Sequence, residues 1–549
     1  MKADEMRLGP LLGGPKQFVV PYFQRAYSWR RHQWNTLFED ILELYELNSS
    51  SSHFLGSMVL LAENSTDVVP PTLVIDGQQR IVTLSLFLAA IRDSARDTNQ
   101  PLAERLHATY LVNQDTPDGV KILTTHQDRA AFATVITSAQ EPPPSPIRDA
   151  YRTFREALTE HLDKGLDLAR LADIVIAQLS FVAITLDPED NPYRIFESLN
   201  AKGMPLTQGD LLRNYFFMRL PPGEHEKWYT TVWNPMQTRL GERFDDYMRD
   251  FLLKEGQPIR PDEVYQEWRK RLAPLDEEGI RITLRDLYDW SLEYDQILHP
   301  QREADLEVRK RLQRLTAWSK TVPYQFNPLL LRLHADYRRG ALSPQQVQAI
   351  FQAIESVLIR RLFISAPVRD DNQLLIQLYD AASSDEDRAT AFVAALSRPQ
   401  IGWPDDADFI DGVVRYPLYF ASHPDQRKLM IEALEDSYAH RGPVRYDQLD
   451  LQLITPLLPR PEWLVELGVS EDQYWKVIGT LGNFTWVPRG RAPDLGVAER
   501  KKELLKMTRY GLDLVRDFAQ VERWSAEEIE NRSRRLAERA TAVWPGPRR

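Results

Sequence analysis

Leu73-Val74-Ile75-Asp76-Gly77-Gln78-Gln79-Arg80-Ile81 is the stretch on which the reading of this chain turns. Thr72 to Ile75 is short and rich in β-branched residues, which suits a strand. From Gln78 to about Ala95 the apolar residues Ile81, Leu84, Leu88 and Ile91 fall on one side of a helix. Only Asp76 and Gly77 separate the two elements, so strand passes to helix through a glycine turn. Such a turn leaves backbone N–H groups unbonded at the positive end of a helix dipole. Gly77 permits close approach and Arg80 adds a forked cation, which makes phosphate the natural ligand. Asp76 suits a metal ion or a ribose hydroxyl, and Gln78 or Gln79 the orientation of a water or a phosphate oxygen. A tight turn with a capping aspartate and a surface arginine accounts for the same residues, and the local pattern leaves both readings open.

Working outward, Trp34, Leu37, Phe38, Ile41, Leu42 and Tyr45 carry the stripe of an amphipathic helix, and Phe54 to Leu61 reads as a second strand. Phe181 to Leu186 predicts a further strand, followed by a short helix near Arg194 to Leu199. Asn200 and Gly203 stand where a helix end needs residues that tolerate positive φ. Thr207 with Asp210 has the form of a capping box, so a helix should run from Gln208 to about Phe217. Residues 1–220 thus read as a mixed α/β domain. Residues 221–400 are mainly helical in pattern; Ser343-Pro344 starts one helix, whose stripe is Val347, Ile350, Phe351, Ile354, Val357 and Leu358. Tryptophans 228, 233, 268, 290 and 318 fit core packing better than a base-stacking array. Residues 401–549 form a third, α-rich part.

Composition narrows the function. The 549 residues contain no cysteine, which excludes disulfides, thiol catalysis and cysteine-bound metal. No apolar run is long enough to span a bilayer. The acids in Met1-Lys2-Ala3-Asp4-Glu5 are unlike a signal peptide, so a cytoplasmic location without membrane partners is expected. A net charge of −11 repels nucleic acid as a whole, but residues 441–549 hold 19 Lys and Arg against 16 Asp and Glu, which makes them the more plausible DNA-facing part.

Two further segments carry candidate chemistry. Pro21-Tyr22-Phe23-Gln24-Arg25-Ala26-Tyr27-Ser28-Trp29 groups aromatics around an amide and a guanidinium, a set that can stack on bases and read their edges, or equally form a core with Arg25 in an ion pair. Ile195-Phe196-Glu197-Ser198-Leu199-Asn200, with Gly203, Thr207, Asp210 and Asn214 beyond it, can also be read as a plain helix-turn-helix connection.

Taken together and in this order, the three segments resemble the N-terminal domain of GmrSD-type restriction proteins, shared by SspE-like phosphorothioate sensors and similar in fold to ParB and sulfiredoxin. The resemblance covers residues 1–220. It implies an α+β, ParB/sulfiredoxin-like domain that binds and hydrolyses an NTP, with GTP, ATP and CTP not distinguished and Mg²⁺ as a companion. Asp76, Gln79 and Arg80 are then the catalytic candidates, with Asp76 also the metal ligand. Gly77, Gln78, Gln24, Arg25, Asn200, Gly203 and Asp210 are the nucleotide-binding candidates. Tyr27 and Trp29 fall to DNA recognition. The family link also implies action on foreign or modified DNA and a partner subunit from a defence operon.

Residues 440–545 resemble a degenerate HNH-type nuclease frame in Leu457-Leu458-Pro459-Arg460, Trp463 and Leu481-Gly482-Asn483-Phe484-Thr485. Pro456 stands where that family places the general-base histidine, and no histidine follows His440. Arg489, Arg491, Lys501 and Lys502 lie in a basic stretch suited either to DNA phosphates or to a solvated surface. Three functions follow: an NTP-dependent sensor with a silent nuclease frame, a nuclease using another base such as Asp447 or Asp450, and a nucleotide-switched scaffold.

Overall fold

The computed structural model describes residues 2–22, 24–47, 52–62, 69–138, 142–186, 207–319, 326–366, 372–384, 387–438, 444–490, 502, 506, 512–519, 521 and 523–547. It divides into two compact units, one of residues 1–245 with 262–285, the other of 246–261 with 286–549. The N-terminal part is mixed α/β and the remainder is helical apart from one small strand pair.

The first unit is built on a six-stranded sheet of order β1-β6-β3-β4-β2-β5. Its strands are β1 (Lys2–Arg7), β2 (Gln17–Val19), β3 (His53–Ala62), β4 (Pro71–Asp76), β5 (Ile122–Leu123) and β6 (Leu179–Leu186). Strands β1/β6 and β3/β4 are antiparallel, while β3/β6, β4/β2 and β2/β5 are parallel. The expected strands at 54–61, 72–75 and 181–186 all form. The sequence reading missed β1 because its residues are polar and exposed, as befits an edge strand whose charges discourage further pairing.

Helices α1 (Leu8–Leu12) and α2 (Arg31–Leu47) precede the central α3 (Gln78–Ala95), which starts where the sequence places it. The periodicity predicted one buried side; instead Ile81 through Ile91 are all buried, because α3 packs against other helices as well as the sheet. Phe87 meets Phe38 of α2 and Phe154 edge-on or tilted, with centroids 5.8 and 5.0 Å away. The capping box at Thr207 and Asp210 is present, and the helix Gln208–Phe217 follows it. Trp228, Trp233 and Trp268 are core residues.

The second unit is mainly helical, with strands β7 (Leu449–Leu453) and β8 (Phe484–Pro488) paired antiparallel. Ser343 caps the helix Pro344–Phe363 through a full capping box, and Val347, Ile350, Phe351, Ile354 and Val357 are buried along it. Leu358 is only partly buried, and Ile359 takes the inward position. Glu355, Ser356 and Arg360 of this helix hold the chain near the C-terminus. Trp544 Nε1 donates to Glu355 Oε1 at 3.0 Å, Ser356 Oγ to the Pro545 carbonyl at 2.7 Å and Arg360 Nε to the Trp544 carbonyl at 2.8 Å. Among the described residues no helix is long and apolar enough to cross a membrane.

Candidate functional site

Gly77 is the pivot of the turn between β4 and α3. Its φ of +94° lies in the left-handed region, and a Cβ there would come within 2.7 Å of Met58 Cγ and 3.4 Å of Met58 Cα. Glycine is therefore required twice over, for conformation and for space. As N-cap of α3 it brings no capping side chain, and the first bond inside the helix is Ile81 N to the Gly77 carbonyl at 3.1 Å. The N–H groups of Gln78, Gln79 and Arg80 have no acceptor among the described residues, so the positive end of an 18-residue helix is uncapped.

The three glutamines fasten the turn to the segment at 24–29. Gln24 Nε2 donates to the Ile75 carbonyl at 2.9 Å, and Gln78 Nε2 to the Arg25 carbonyl at 2.8 Å. Gln79 Oε1 accepts from Ser28 N at 2.8 Å and Trp29 N at 3.3 Å. An amide suits this work because it offers a donor and an acceptor without charge. Tyr27 lies in the core at 3% exposed, its hydroxyl bonded to Thr83 Oγ1 at 2.7 Å and receiving Trp34 Nε1 at 2.8 Å. Its ring offers no face to a nucleic acid, which corrects the sequence assignment of Tyr27 to DNA recognition. From the other side Asp128 accepts from Tyr27 N at 2.7 Å and Thr125 Oγ1 at 2.6 Å, and burial raises its pKa. No local pattern marks Asp128, which lies 101 residues from Tyr27.

Arg80 turns along the sheet. Its Nη1 donates to the Leu55 carbonyl at 2.8 Å, and Nη2 is 3.5 Å from Asp76 Oδ2. Room for it comes from Gly56, with φ +102°, where the pairing of β3 with β6 shifts register. A Cβ on Gly56 would lie 2.3 Å from Arg80 Nη1. Burial lowers the Arg80 pKa, and Asp76 opposes that. The guanidinium is thus partly committed to the backbone.

Arg25 is the freer cation: it is partly buried, yet its guanidinium makes no hydrogen bond among the described residues. Burial lowers its pKa; Asp210 and Asp76 act against that, and Arg213 reinforces it. Charges from two distant segments, Asp76 on one and Asp210 and Arg213 on the other, therefore act on Arg25. Asp210 both completes its own helix cap and accepts from Arg213 Nη2 at 2.7 Å. Arg213, buried and absent from the sequence candidates, belongs to the same cluster. Asn200 and Gly203 lie outside the described residues. Trp29 is partly buried and lines a cleft of about 290 Å³ together with Arg80.

In the second unit the nuclease-like frame is a packed junction. Asn483 is fully buried; its Oδ1 accepts from Thr455 N at 2.8 Å, and its Nδ2 donates to the Thr455 carbonyl at 3.0 Å and the Ile478 carbonyl at 2.8 Å. Trp524 Nε1 binds Thr455 Oγ1 at 2.9 Å, and Tyr474 OH donates to the Pro456 carbonyl at 2.5 Å. Asp447 is held by Arg445, whose hydrogen bonds lower its pKa, and Asp450 accepts from Gly490 N at 3.1 Å. Arg489 is exposed, 3.7 Å from Asp450, and Lys502 is exposed. Arg491 and Lys501 lie outside the described residues. Among the described residues no three His, Asp or Glu side chains gather as a metal site.

The first unit is thus a mixed α/β domain in which the unbonded first amides of α3 neighbour a cluster of arginines and aspartates. Residues 8–217 match the model of the GmrSD restriction endonuclease N-terminal domain, so this chain carries a domain of that family. The match covers the sheet from β2 to β6 and ends with the helix Gln208–Phe217. No curated protein matches the chain.

Proposed function

We propose that the first unit binds a nucleoside triphosphate at the α3 terminus and couples its hydrolysis to a restriction-like defence against foreign or modified DNA. The convergence of Arg25, Asp76, Asp210 and Arg213 beside unbonded helix amides carries this reading. Phosphate oxygens satisfy N–H groups that otherwise have no acceptor, and the Arg25 guanidinium meets them with charge-assisted hydrogen bonds. In this reading Asp76 holds the Mg²⁺ that accompanies a triphosphate, and Arg80, whose Nη2 is 3.5 Å from Asp76 Oδ2, steadies its carboxylate. Gln24, Gln78 and Gln79 keep the two loops in register rather than touching the reacting atoms. Arg489 and Lys502, both exposed on the second unit, are the DNA-facing candidates, and DNA cleavage by this unit has no support in the packed Thr455–Pro456 junction.

The test is equilibrium binding of a fluorescent, non-hydrolysable triphosphate with Mg²⁺ to the wild-type chain and to Arg25→Ala. A loss of tenfold or more is expected, since a charged hydrogen bond contributes about 1.5–3 kcal/mol. Equal affinity in the two proteins would end the proposal. Phosphate release above background, raised by DNA, is the expected activity.

A further inference from the structure

Arg80 has a second environment. On the side of α2 it borders the cleft of about 290 Å³, whose floor is Leu37, Leu55 and Leu84 and whose wall includes Trp29. This volume is at the lower end of the roughly 300–1,000 Å³ usual for small-molecule sites, so it admits one flat ring system and not a whole nucleotide. Leu37 and Leu84 are buried, whereas His32 and Thr36 are exposed and Gln33, Asp40 and Arg80 partly buried, so the polar lining is the more solvent-accessible part. The main chain at Trp29 is held by the bond from its N–H to Gln79 Oε1 at 3.3 Å.

Among the polar groups Asp40 decides the chemistry. It is an acceptor only, its Oδ2 is 3.5 Å from His53 Nε2, and Asp40 makes no further hydrogen bond among the described residues. Its neighbours are already engaged: Gln33 Oε1 caps Arg30 N at 2.9 Å and His32 Nδ1 is 3.1 Å from Thr36 Oγ1. A carboxylate that lines an apolar, aromatic-walled cleft, with His53 its one partner among the described residues, calls for a flat ligand with N–H donors on one edge.

We propose that this cleft is a nucleobase pocket in which Asp40 selects a base with two adjacent N–H donors, as guanine has. This deepens the nucleotide reading above and rests on it for one source of the base. Arg80 lines the cleft and also reaches Asp76, so a nucleotide with its ring in the cleft has its phosphates directed toward the α3 terminus. A guanine turned out of a DNA duplex offers the same edge and is the other source.

Calorimetric titration of the full chain with GDP, IDP and XDP tests the pocket. GDP should bind about tenfold or more tightly than IDP, which lacks one donor, because a hydrogen bond to a charged group contributes that much. Asp40→Asn, which replaces one acceptor by a donor, should invert the order so that XDP exceeds GDP, an inversion that a structural role for Asp40 does not produce. Thr36→Trp, at an exposed position, should close the cleft and remove base preference without disturbing the core. An order unchanged by Asp40→Asn overturns the pocket while leaving phosphate binding standing. Guanosine binding that survives Arg25→Ala supports the pocket by itself, whereas GDP affinity untouched by Arg25→Ala removes the phosphate reading alone. Asp40-dependent binding of a duplex with one unpaired guanine, without GDP binding, keeps the pocket and assigns its base to DNA; binding of neither overturns it.

Discussion

Replacing Gln79 separates a fastening side chain from a catalytic one. Its Oε1 accepts Ser28 N at 2.8 Å and Trp29 N at 3.3 Å, whereas its Nε2 contact with the Ala26 carbonyl is long at 3.5 Å. Gln79→Ala removes both acceptances and leaves two partly buried amides without partners. At about 1 kcal/mol net for each, the loss is ~2 kcal/mol, and a unit of this size then melts ~4–8 °C lower. Gln79→Glu keeps the acceptor and places an acid in the first turn of α3, where the dipole favours it, so its loss should stay within about 1 kcal/mol. Hydrogen exchange read by mass spectrometry on the peptide covering 24–30 gives the local view. Ser28 and Trp29 should exchange roughly thirtyfold faster in the alanine variant, as ~2 kcal/mol implies, and near the wild-type rate in the glutamate variant. Unchanged exchange in Gln79→Ala, or equal loss in both variants, would refute the fastening argument.

Two predictions concern the second unit. Asn483→Ala deletes three buried hydrogen bonds and should cost about 3 kcal/mol or more, seen as a lower urea midpoint of the second unit; a midpoint at the wild-type value would show the junction to be loosely held. Asp250 is fully buried, and burial raises its pKa from 3.8 to about 6 against the pull of Arg249 and the Tyr294 hydroxyl, which donates at 2.8 Å. Between about pH 4 and 6 the folded chain keeps a proton that the unfolded chain has released, so this group makes stability fall as pH rises through that window and level off above it. Asp250→Asn should lack that slope, and melting curves of the two proteins running parallel from pH ~4.5 to ~6.5 would contradict the assignment.

Much of the fold was legible locally. The start of α3 at Gln78 follows from a β-branched strand meeting a glycine, the capping box at Thr207 from a side chain that bonds an amide three residues on, and the helix start at Ser343 from an N-cap followed by proline. The family resemblance was legible for the same reason, since its segments are runs of adjacent residues. Short range also explains the failures: β1 is polar because an edge strand needs backbone pairing and not burial, and an apolar stripe on α3 could not reveal that its other sides are covered too.

Sequence by itself settled the strands at 54–61, 72–75 and 181–186, the position of the Asp76–Gly77 turn, and the absence of thiol chemistry and of any histidine after His440. Tertiary structure alone decided what the side chains do there. Gln24 and Ile75 are 51 residues apart and Tyr27 and Asp128 are 101 apart, so nothing in either neighbourhood shows that the glutamines are straps or that the tyrosine is buried. It also brought the charges of Asp210 and Asp76 within electrostatic reach of Arg25, and lined the cleft beside Arg80 with residues of α2 and β3. The physical reason is that caps and periodicity act within a few residues, whereas a partner for a charge or an amide is assigned only when the chain has closed its long loops.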